Sequence, residues 1–513
     1  MNKFKTVVAG VLAATMILSL TGCDEEPAAG NSNAGASNAG DNTPSNAPGS
    51  ISSQAETSAS TTTYATDAAV NDAVEKMDAT LDNPDLEVTN RLVWMAWNNW
   101  EQDETLPAGV LFKNTYGIPE NGKDPDRAGR IFEFINVPYA DRYTKLATAI
   151  QSGDSPDLFP FEIQDFPYGI IQGRYQAIDG ILDLTSHKWD GARDILEQFK
   201  LGGKYYCAVY EISFPNLMYY RKSVIGDLGL DDPRELYDNG QWTWDTFMEL
   251  GREFQKTGEG KFLIDGYNPE NDFVCSTGVP MVANNDGVFV SNLYDSNVER
   301  AEDLLSKLAQ ENLRYPRHEL NGFSVNPKAW ADGNILFYAD GALWRFEETL
   351  SKYGKKYGWD EDEIVAVAFP RDPQASEYYL QMKQDALMWV KGSTNAAGVA
   401  AWIDCNVTTT LDPEVVAATK KQKKERYGWS DYNLDYIYAQ CALDGSSQIK
   451  AVFDCKNGLG EDIAGTSTSD NPVERLTKNV YIQGESYTTL REENSPVIND
   501  RISQLNEQIA KLS

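Results

Sequence analysis

The sequence predicts an α/β protein, because strand patterns and helix patterns alternate along most of the chain. Two strands are predicted over residues 92–96 and 131–137, where β-branched and aromatic residues are frequent. A helix follows, and its apolar stripe is formed by Tyr143, Leu146, Ala147 and Ile150. Gly153 ends this helix, and residues 156–159 form a third short strand. Strand, helix and strand at these lengths predict a βαβ unit.

Further elements are predicted on both sides of this unit. A short helix precedes it, with Val70, Val74, Met77 and Leu81 at helical spacing and Pro84 at its end. Later strands are predicted over 216–220, 335–338 and 364–369, and later helices over 247–254 and 304–308. The final helix is predicted to begin at Pro496 and to bury Ile498, Ile502, Leu505, Ile509 and Leu512.

The first 23 residues indicate export and lipid attachment. Lys3 and Lys5 precede an apolar stretch over residues 7–20, which is long enough for a signal peptide. The run Leu20-Thr21-Gly22-Cys23 resembles the lipobox of bacterial lipoproteins, in which the Cys takes up lipid and becomes the first mature residue. Residues 1–22 are therefore predicted to be a lipoprotein signal peptide. An ordinary secreted protein with a chance Cys at this position is the alternative.

Residues 23–65 are predicted to form the lipidated Cys and a flexible tether. From residue 27 to 63 the chain is mostly Ala, Gly, Asn, Ser, Thr, Gln and Pro, and its only charged residues are Asp41 and Glu56. Such a segment has too little apolar surface to offset the entropy of ordering. As a coil it would span about 30 to 35 Å on average. A glycosylated stalk would have the same mechanical effect.

Charge and cysteine usage exclude several classes of protein. The formal net charge is −32 and becomes −34 once Lys3 and Lys5 leave with the signal peptide. Such an acidic chain is not expected to bind nucleic acid or an anionic membrane surface. Five cysteines follow Cys23 at irregular spacings, so no disulfide framework is predicted. A pair between Cys441 and Cys455 stays open, although buried free thiols fit the pattern better.

Several motifs in the order of the chain resemble those of the extracellular solute-binding proteins of family 1. These are the maltose-binding-protein-like receptors of ATP-binding-cassette (ABC) importers. The matching segments are Ser152-Gly153-Asp154-Ser155-Pro156-Asp157, Gly203-Lys204-Tyr205-Tyr206, Tyr219-Tyr220-Arg221-Lys222, Leu228-Gly229-Leu230, Thr243-Trp244-Asp245-Thr246-Phe247 and Trp330-Ala331-Asp332-Gly333 with Gly341. We interpret the first and fifth segments as scaffold, since Gly153 ends a helix and Thr243 begins one.

The resemblance implies a two-lobed, periplasmic-binding-protein-like fold of type II over residues 66–513. Its lobes would be formed by discontinuous segments and joined by a hinge. The resemblance also implies that ligand lies between the lobes, in loops beyond strand ends. A sugar presents apolar C–H faces and a rim of hydroxyl groups, so aromatic rings beside amides, carboxylates and Arg suit it. Candidate ligand-binding residues at such positions are Trp97, Asn98, Asn99, Trp100, Phe161, Glu162, Tyr210, Glu211, Asp340, Trp344 and Arg345. Trp94 is predicted to be a core residue.

No catalytic or cofactor motif emerges from the sequence. His187 and His318 lack metal-ligand spacing, and there is no Gly-x-Ser-x-Gly elbow. Calcium near residues 284–287 or 360–363 would lack EF-hand spacing. We therefore predict no enzyme activity, cofactor or metal. A glycosidase carboxylate pair cannot be chosen from 77 Asp and Glu.

The sequence thus predicts a monomeric, lipid-anchored receptor on the outer face of a bacterial cell membrane. It would capture a carbohydrate, expected to be an oligosaccharide, and deliver it to an ABC permease. The alternatives are a receptor for another small solute such as a peptide or polyamine, a surface glycosidase, and an adhesin that binds glycans.

Overall fold

The computed structural model describes residues 65–78, 80–97, 104–320, 324–340, 343–442, 447, 449–459 and 472–512. At residues 65–67, 210–215, 340, 343–345, 382–385, 441, 457 and 472–474 it describes the backbone only. The predicted signal peptide, most of the predicted tether and the candidate residues Asn98, Asn99 and Trp100 lie outside the described residues.

The described residues contain fourteen strands. They are β1 (Leu92–Trp97), β2 (Phe132–Val137), β3 (Leu158–Pro160), β4 (Lys200–Leu201), β5 (Lys204–Tyr205), β6 (Cys207–Pro215), β7 (Leu217–Arg221), β8 (Phe262–Gly266), β9 (Val282–Asn285), β10 (Val288–Ser291), β11 (Ile335–Asp340), β12 (Ile364–Val367), β13 (Tyr378–Trp389) and β14 (Ile449–Val452).

The same part of the chain contains eighteen α-helices. They are α1 (Ala65–Lys76), α2 (Pro107–Tyr116), α3 (Arg142–Ser152), α4 (Tyr168–Ile171), α5 (Arg193–Gln198), α6 (Lys222–Leu228), α7 (Pro233–Asp238), α8 (Trp244–Lys256), α9 (Pro269–Cys275), α10 (Ser296–Gln310), α11 (Arg317–Leu320), α12 (Pro327–Ala331), α13 (Leu343–Tyr357), α14 (Ala396–Leu411), α15 (Pro413–Tyr427), α16 (Asp431–Cys441), α17 (Pro472–Gln483) and α18 (Tyr487–Ile509).

The first lobe is built on a six-stranded sheet in the order β14-β13-β3-β1-β2, with β6 also paired to β13. β1 runs parallel to β2 and β3, whereas β13 runs antiparallel to both β3 and β6. Its core includes Trp94, Phe132 and Trp402, whose rings make edge contacts. The Asp157 carboxylate joins this sheet to the start of α14, because it accepts bonds from Val93 N and from the Ser393 hydroxyl. The segment around Asp157 is therefore scaffold, as predicted.

The second lobe is built on a four-stranded sheet in the order β12-β7-β11-β8. β8 and β11 are parallel, and β7 is antiparallel to β11 and β12. Tyr219 on β7 stacks on Phe346 with ring centroids 3.5 Å apart, and Trp330 packs against the same Phe346 ring. These buried aromatic side chains hold α12 and α13 on the sheet.

Within the described residues, two crossovers connect the two sheets. The chain passes from β6 to β7 through Asn216 and returns from β12 to β13 through residues 368–377. Asn216 is buried, and its amide donates to both carboxylate oxygens of Asp272 on α9 at 2.9 Å. On the return crossover, buried Asp372 is ion-paired with Arg300 on α10. The first crossover is therefore fixed to α9 and the second to α10.

Strand directions place the carboxyl ends of both parallel strand sets beside the crossovers. β3 runs in the same direction as β6, which leaves the first lobe at Pro215. In the second lobe Asp340, at the carboxyl end of β11, pairs with Leu217, the first residue of β7. The carboxyl edges of both sheets therefore lie beside the crossovers, and carboxyl edges are where α/β folds place ligands.

Most predicted elements are confirmed. A strand is present at each predicted strand position, and β4 and β5 form a hairpin that includes Gly203. Gly153 ends α3 in the left-handed conformation with φ 78°. Thr243 precedes α8, and its N–H donates to the Thr246 hydroxyl at 2.9 Å. Val70 and Val74 are buried on α1, but this helix ends at Lys76, well before Pro84.

The prediction that the final helix begins at Pro496 is wrong. Helix α18 begins at Tyr487, with the Ser486 hydroxyl accepting from Thr489 N, and Pro496 lies inside it. Tyr487 and Leu490 are buried before the Pro, so their packing sustains the first turns of the helix. Pro496 removes one backbone donor without ending the helix.

Cys207, Cys275, Cys405 and Cys455 are buried free thiols, so Cys455 does not form the disulfide with Cys441 that the sequence left open. Burial raises the pKa of each of these thiols. They therefore behave as small apolar side chains. Among the described residues, no helix has the length and apolar character needed to cross a membrane.

Candidate functional site

An aromatic pair lies at the carboxyl edge of the first sheet. Trp97 is the last residue of β1, and Tyr139 follows the end of β2. Their rings meet edge to face with centroids 5.7 Å apart. Trp97 is half-buried, in contrast to Trp94 on the same strand, which is 1% exposed. Trp97 is less buried than Trp94 because it ends the strand, whereas Trp94 lies within it.

Arg142 fixes this aromatic pair to the start of α3. Its guanidinium lies 3.7 Å from the centroid of the Tyr139 ring and 5.7 Å from that of Trp97. The same guanidinium lies 4.1 Å from the centroid of the Tyr143 ring. One guanidinium nitrogen also donates to the Tyr139 carbonyl at 2.7 Å. Cation–π contacts and a backbone bond together hold the planar group in one orientation.

The Glu162 carboxylate accepts hydrogen bonds from several neighbouring side chains. It follows β3, as the sequence predicts, and is ion-paired with Arg142 at 2.5 Å. The Tyr143 hydroxyl donates to the same carboxylate oxygen at 2.6 Å, and the Gln164 amide donates to the other at 2.9 Å. Burial raises the pKa of Glu162 above its usual range, whereas Arg142 acts in the opposite direction. We call Trp97, Tyr139, Arg142, Tyr143, Glu162 and Gln164 the edge cluster.

A second buried ion pair lies directly behind the edge cluster. Asp165 pairs with Arg174 and accepts a hydrogen bond from the Tyr175 hydroxyl at 2.7 Å. Burial raises the pKa of Asp165 to about 7, against the opposing effect of Arg174. Arg174 also lies 4.8 Å from the centroid of the Tyr143 ring. The edge cluster therefore rests on a second layer of paired charges, which restricts its side-chain rotamers.

The other candidate residues fall into two groups. Phe161 is half-buried, and its ring contacts Phe199 with centroids 5.1 Å apart and Phe166 with centroids 6.4 Å apart. It therefore packs in an aromatic cluster of the first lobe. The backbone of five others is placed, namely Tyr210, Glu211, Asp340, Trp344 and Arg345, but their side chains lie outside the described set. A ligand contact by any of these residues stays a prediction.

The backbone of β6 is irregular around Tyr210 and Glu211. The register of β6 against β13 shifts twice, so that Tyr210 and Ser213 have no partner residue across the ladder. These shifts are β-bulges, which bend a strand and change the direction of its side chains. Both bulges lie on the strand that leads into the first crossover. They are features that sequence patterns do not reveal.

Sequence analysis missed four members of the edge cluster: Tyr139, Arg142, Tyr143 and Gln164. The predicted candidates include residues after β1 and β3 but none after β2. Because β1 pairs in parallel with both β2 and β3, all three carboxyl ends meet at one edge. The end of a predicted strand is therefore a signal that also indicates Tyr139 and Arg142. Tyr143 was identified only as a member of the apolar stripe of α3.

Two surface depressions of the described structure are lined by other residues. One of about 480 Å³ is lined by residues 255–256, 258–262 and 312. The other, of about 410 Å³, adjoins the return crossover and is lined by residues 237, 238, 240, 371 and 376–378. Neither contains a member of the edge cluster.

Solved structures share this fold. The galacto-N-biose-/lacto-N-biose I-binding protein of the ABC transporter from Bifidobacterium longum, in complex with lacto-N-biose, has a TM-score of 0.55 at 13% identity, and the match covers 82% of this chain and 99% of that one. The GacH receptor of Streptomyces glaucescens, solved unliganded and with acarbose, has a TM-score of 0.52 at 14% identity, with 81% and 99% covered. A substrate-binding protein of Listeria monocytogenes in complex with cycloalternan has a TM-score of 0.52 at 13% identity, with 82% and 99% covered.

These similarities show that the chain has the two-lobed, type II periplasmic-binding-protein-like fold. No curated protein matches the chain in sequence. A family model described as bacterial extracellular solute-binding protein matches residues 126–420, more than half of the chain. That match spans β2 to α15 and therefore includes strands of both lobes. The chain belongs to the family of bacterial extracellular solute-binding proteins.

Proposed function

We propose that this protein is a lipid-anchored receptor that captures a carbohydrate between its two lobes and delivers it to an ABC permease. The observation that carries the proposal is the edge cluster, in which aromatic rings and paired charges lie together at the carboxyl edge of the first sheet. A pyranose stacks its C–H face on an aromatic ring and uses its hydroxyl groups as hydrogen-bond partners. Trp97 with Tyr139 offers the rings, and the buried pair of Arg142 with Glu162 holds these rings in position.

The charged side chains of the edge cluster are already held in fixed positions, which favours ligand binding by this cluster. Arg142 and Glu162 are held by each other and by Tyr143, so little rotamer entropy remains to be lost on binding. The similar structures named above were solved with lacto-N-biose, acarbose and cycloalternan, which supports a saccharide ligand here. The mechanism is hinge closure about the two crossovers. A ligand that touches both lobes favours the closed form by its differential affinity.

Residues 1–22 serve as the signal peptide, Cys23 as the lipid acceptor and residues 23–65 as the tether. The anchored receptor stays at the outer face of the cell membrane and works as a monomer beside its permease. Replacing Cys23 by Ala is expected to leave protein that is either shed or retained as uncleaved precursor, because no other group in the signal can take up the lipid. Membrane fractionation with immunoblotting checks this. Mature-sized Cys23→Ala protein in the membrane fraction at the wild-type level would contradict lipid anchoring.

The proposal also predicts binding without turnover. The purified protein is titrated calorimetrically with lacto-N-biose, maltotetraose, acarbose and cycloalternan, and reducing ends are measured after prolonged incubation. We expect saturable one-site binding of at least one sugar and no cleavage, because a receptor has to release its ligand intact. Repeated release of reducing ends, beyond one per protein molecule, would replace the receptor by a glycosidase. Absence of binding to every sugar would contradict a carbohydrate ligand.

A further inference from the structure

A hairpin that extends from the second lobe packs on the first lobe. The chain passes from β8 through α9 into β9 and β10, and it returns through α10 to residues 313–315, whose backbone bonds to β8. Both ends of the hairpin are therefore continuous with helices of the second lobe. We call residues 281–291, which contain β9 and β10, the strap. Its contacts with the first lobe involve segments that are distant in sequence.

Hydrogen bonds fix the strap to the first lobe at two places. The Asn284 amide donates to the carbonyls of Gln198 and Lys200, at 2.9 Å and 3.1 Å, where α5 meets β4. The first two main-chain N–H groups of the strap donate to the carboxylate of Asp454, at 3.2 Å and 3.1 Å. Asp454 is buried and follows β14 of the first sheet. These four hydrogen bonds join one lobe to the other.

The strap also buries an aromatic ring against the first lobe. Phe289 is 2% exposed, and its ring centroid lies 6.1 Å from that of Phe166. Its neighbours in β10, Val288 and Val290, are exposed, as expected when successive side chains of a strand point to opposite faces. Phe166 directly follows Asp165, whose ion pair lies behind the edge cluster. The strap therefore rests on the same layer that supports the edge cluster.

Helix α18 strengthens this connection because it contacts both lobes. Near its start, Arg491 is ion-paired with Glu299 on α10 of the second lobe. Near its end, the Arg501 guanidinium donates to the carbonyl of Leu459, a few residues after β14 of the first sheet. The same guanidinium lies 4.9 Å from the centroid of the Tyr168 ring on α4. One helix thus joins a second-lobe helix to two first-lobe segments.

The strap is itself held in one conformation. Asn506 of α18 accepts from Phe289 N at 2.8 Å and donates to the Phe289 carbonyl at 2.9 Å, so it covers the outer edge of β10. At the turn, Asp286 and Gly287 have φ 51° and φ 83°, and positive values at both positions are what a type I′ turn requires. The strap is therefore a rigid hairpin and not a loose loop.

We infer that the strap locks the two lobes together, and that its bonds to the first lobe have to break before the lobes separate. Its ends belong to helices of the second lobe, whereas the residues it rests on belong to the first. Rotation about the crossovers therefore pulls the strap away from those residues. The lock acts whatever the ligand is, so it goes beyond the proposed receptor function. It raises the share of protein with its lobes together, and opening of the cleft requires release of the strap.

The test breaks the bonds between the lobes and leaves the strap intact. Asn284→Asp removes the amide donor and places a charge against two carbonyls, but it keeps the oxygen that accepts from Gly287 N. Arg501→Ala removes the first-lobe contacts of α18. We expect the double variant without ligand to have a larger radius of gyration than wild type in small-angle X-ray scattering. Deuterium exchange over 281–291 should be about tenfold faster or more, because hydrogen bonds that hold the strap are lost.

Asn406→Asp combined with Arg193→Ala is the matched control. Asn406 is half-buried like Asn284, and its amide donates to the Trp402 carbonyl within α14 at 2.7 Å. Arg193 donates to the Leu184 carbonyl within the first lobe at 3.2 Å. Neither of these bonds joins the two lobes, so the control should keep the radius of gyration of wild type.

Two results would overturn the lock. One is a folded double variant with the wild-type radius of gyration, even if its strap exchanges faster, because the strap then detaches while the lobes stay together. The other is equal expansion of the control, since the effect would then be general. Thermal melts establish folding. If the double variant does not fold, the two substitutions are measured singly against their single controls by the same criteria. No sugar is needed, so the lock and the receptor function are tested separately.

Discussion

Replacing Arg142 by Ala is expected to lower the free energy of unfolding by about 3 to 5 kcal/mol and to abolish most carbohydrate affinity. Arg142 is buried, and its partner Glu162 would be left as an uncompensated charge near the sheet edge. The loss also removes the group that orients Tyr139 and contacts Trp97. Denaturant unfolding measures the stability, and calorimetric titration measures the affinity.

Arg193 provides a matched control for this prediction. Its ion pair with Asp190 is of similar length, at 2.8 Å, but both side chains are exposed. Arg193→Ala should change the free energy of unfolding by roughly 0 to 1 kcal/mol and leave the sugar Kd unchanged. Glu162→Gln, which keeps an acceptor but removes the charge, should lie between the two. If Arg142→Ala is as mild as Arg193→Ala in both measurements, the edge cluster neither stabilises the lobe nor binds ligand.

Trp94→Ala is expected to lower mainly folding stability and Trp97→Ala mainly sugar affinity, although the two residues share β1. Trp94 is 1% exposed and packs on Phe132, so its truncation should cost about 3 to 5 kcal/mol of folding stability. Trp97→Ala should cost clearly less stability but weaken sugar binding about tenfold or more. Melting curves with and without sugar check both variants. Equal loss of stability with an unchanged Kd for Trp97→Ala would assign Trp97 to packing.

The parts of the site that could be predicted are those set by local pattern. Trp97 and Glu162 stand directly after short apolar runs, so their positions at strand ends follow from the sequence itself. The separation of Trp94 from Trp97 also follows, because the first lies within the apolar run and the second ends it. A prediction from position alone cannot reveal what Glu162 contacts. Its partner Arg142 comes twenty residues earlier, on a helix that follows a different strand.

The parts that could not be predicted depend on tertiary packing. No strand was predicted over β8, because its run Phe262–Gly266 ends in Asp265 and Gly266. Asp265 is tolerated there only because Arg317, fifty-two residues later, pairs with it. The start of α18 was predicted wrongly at Pro496 for a related reason. The preference of Pro for the first helical turn is a local effect. The helix begins before Pro496 because Tyr487 and Leu490 are buried by tertiary packing.

Hydrogen–deuterium exchange of the protein with and without saturating sugar tests the central claim most directly. If the ligand lies between the two facing sheet edges, protection should increase together in peptides covering residues 139–143 and 161–165 of the first lobe and 266–268 of the second. Peptides over 255–262, which line the surface depression away from the crossovers, should change less. Protection confined to one lobe, or to that depression, would contradict capture of the sugar between the lobes.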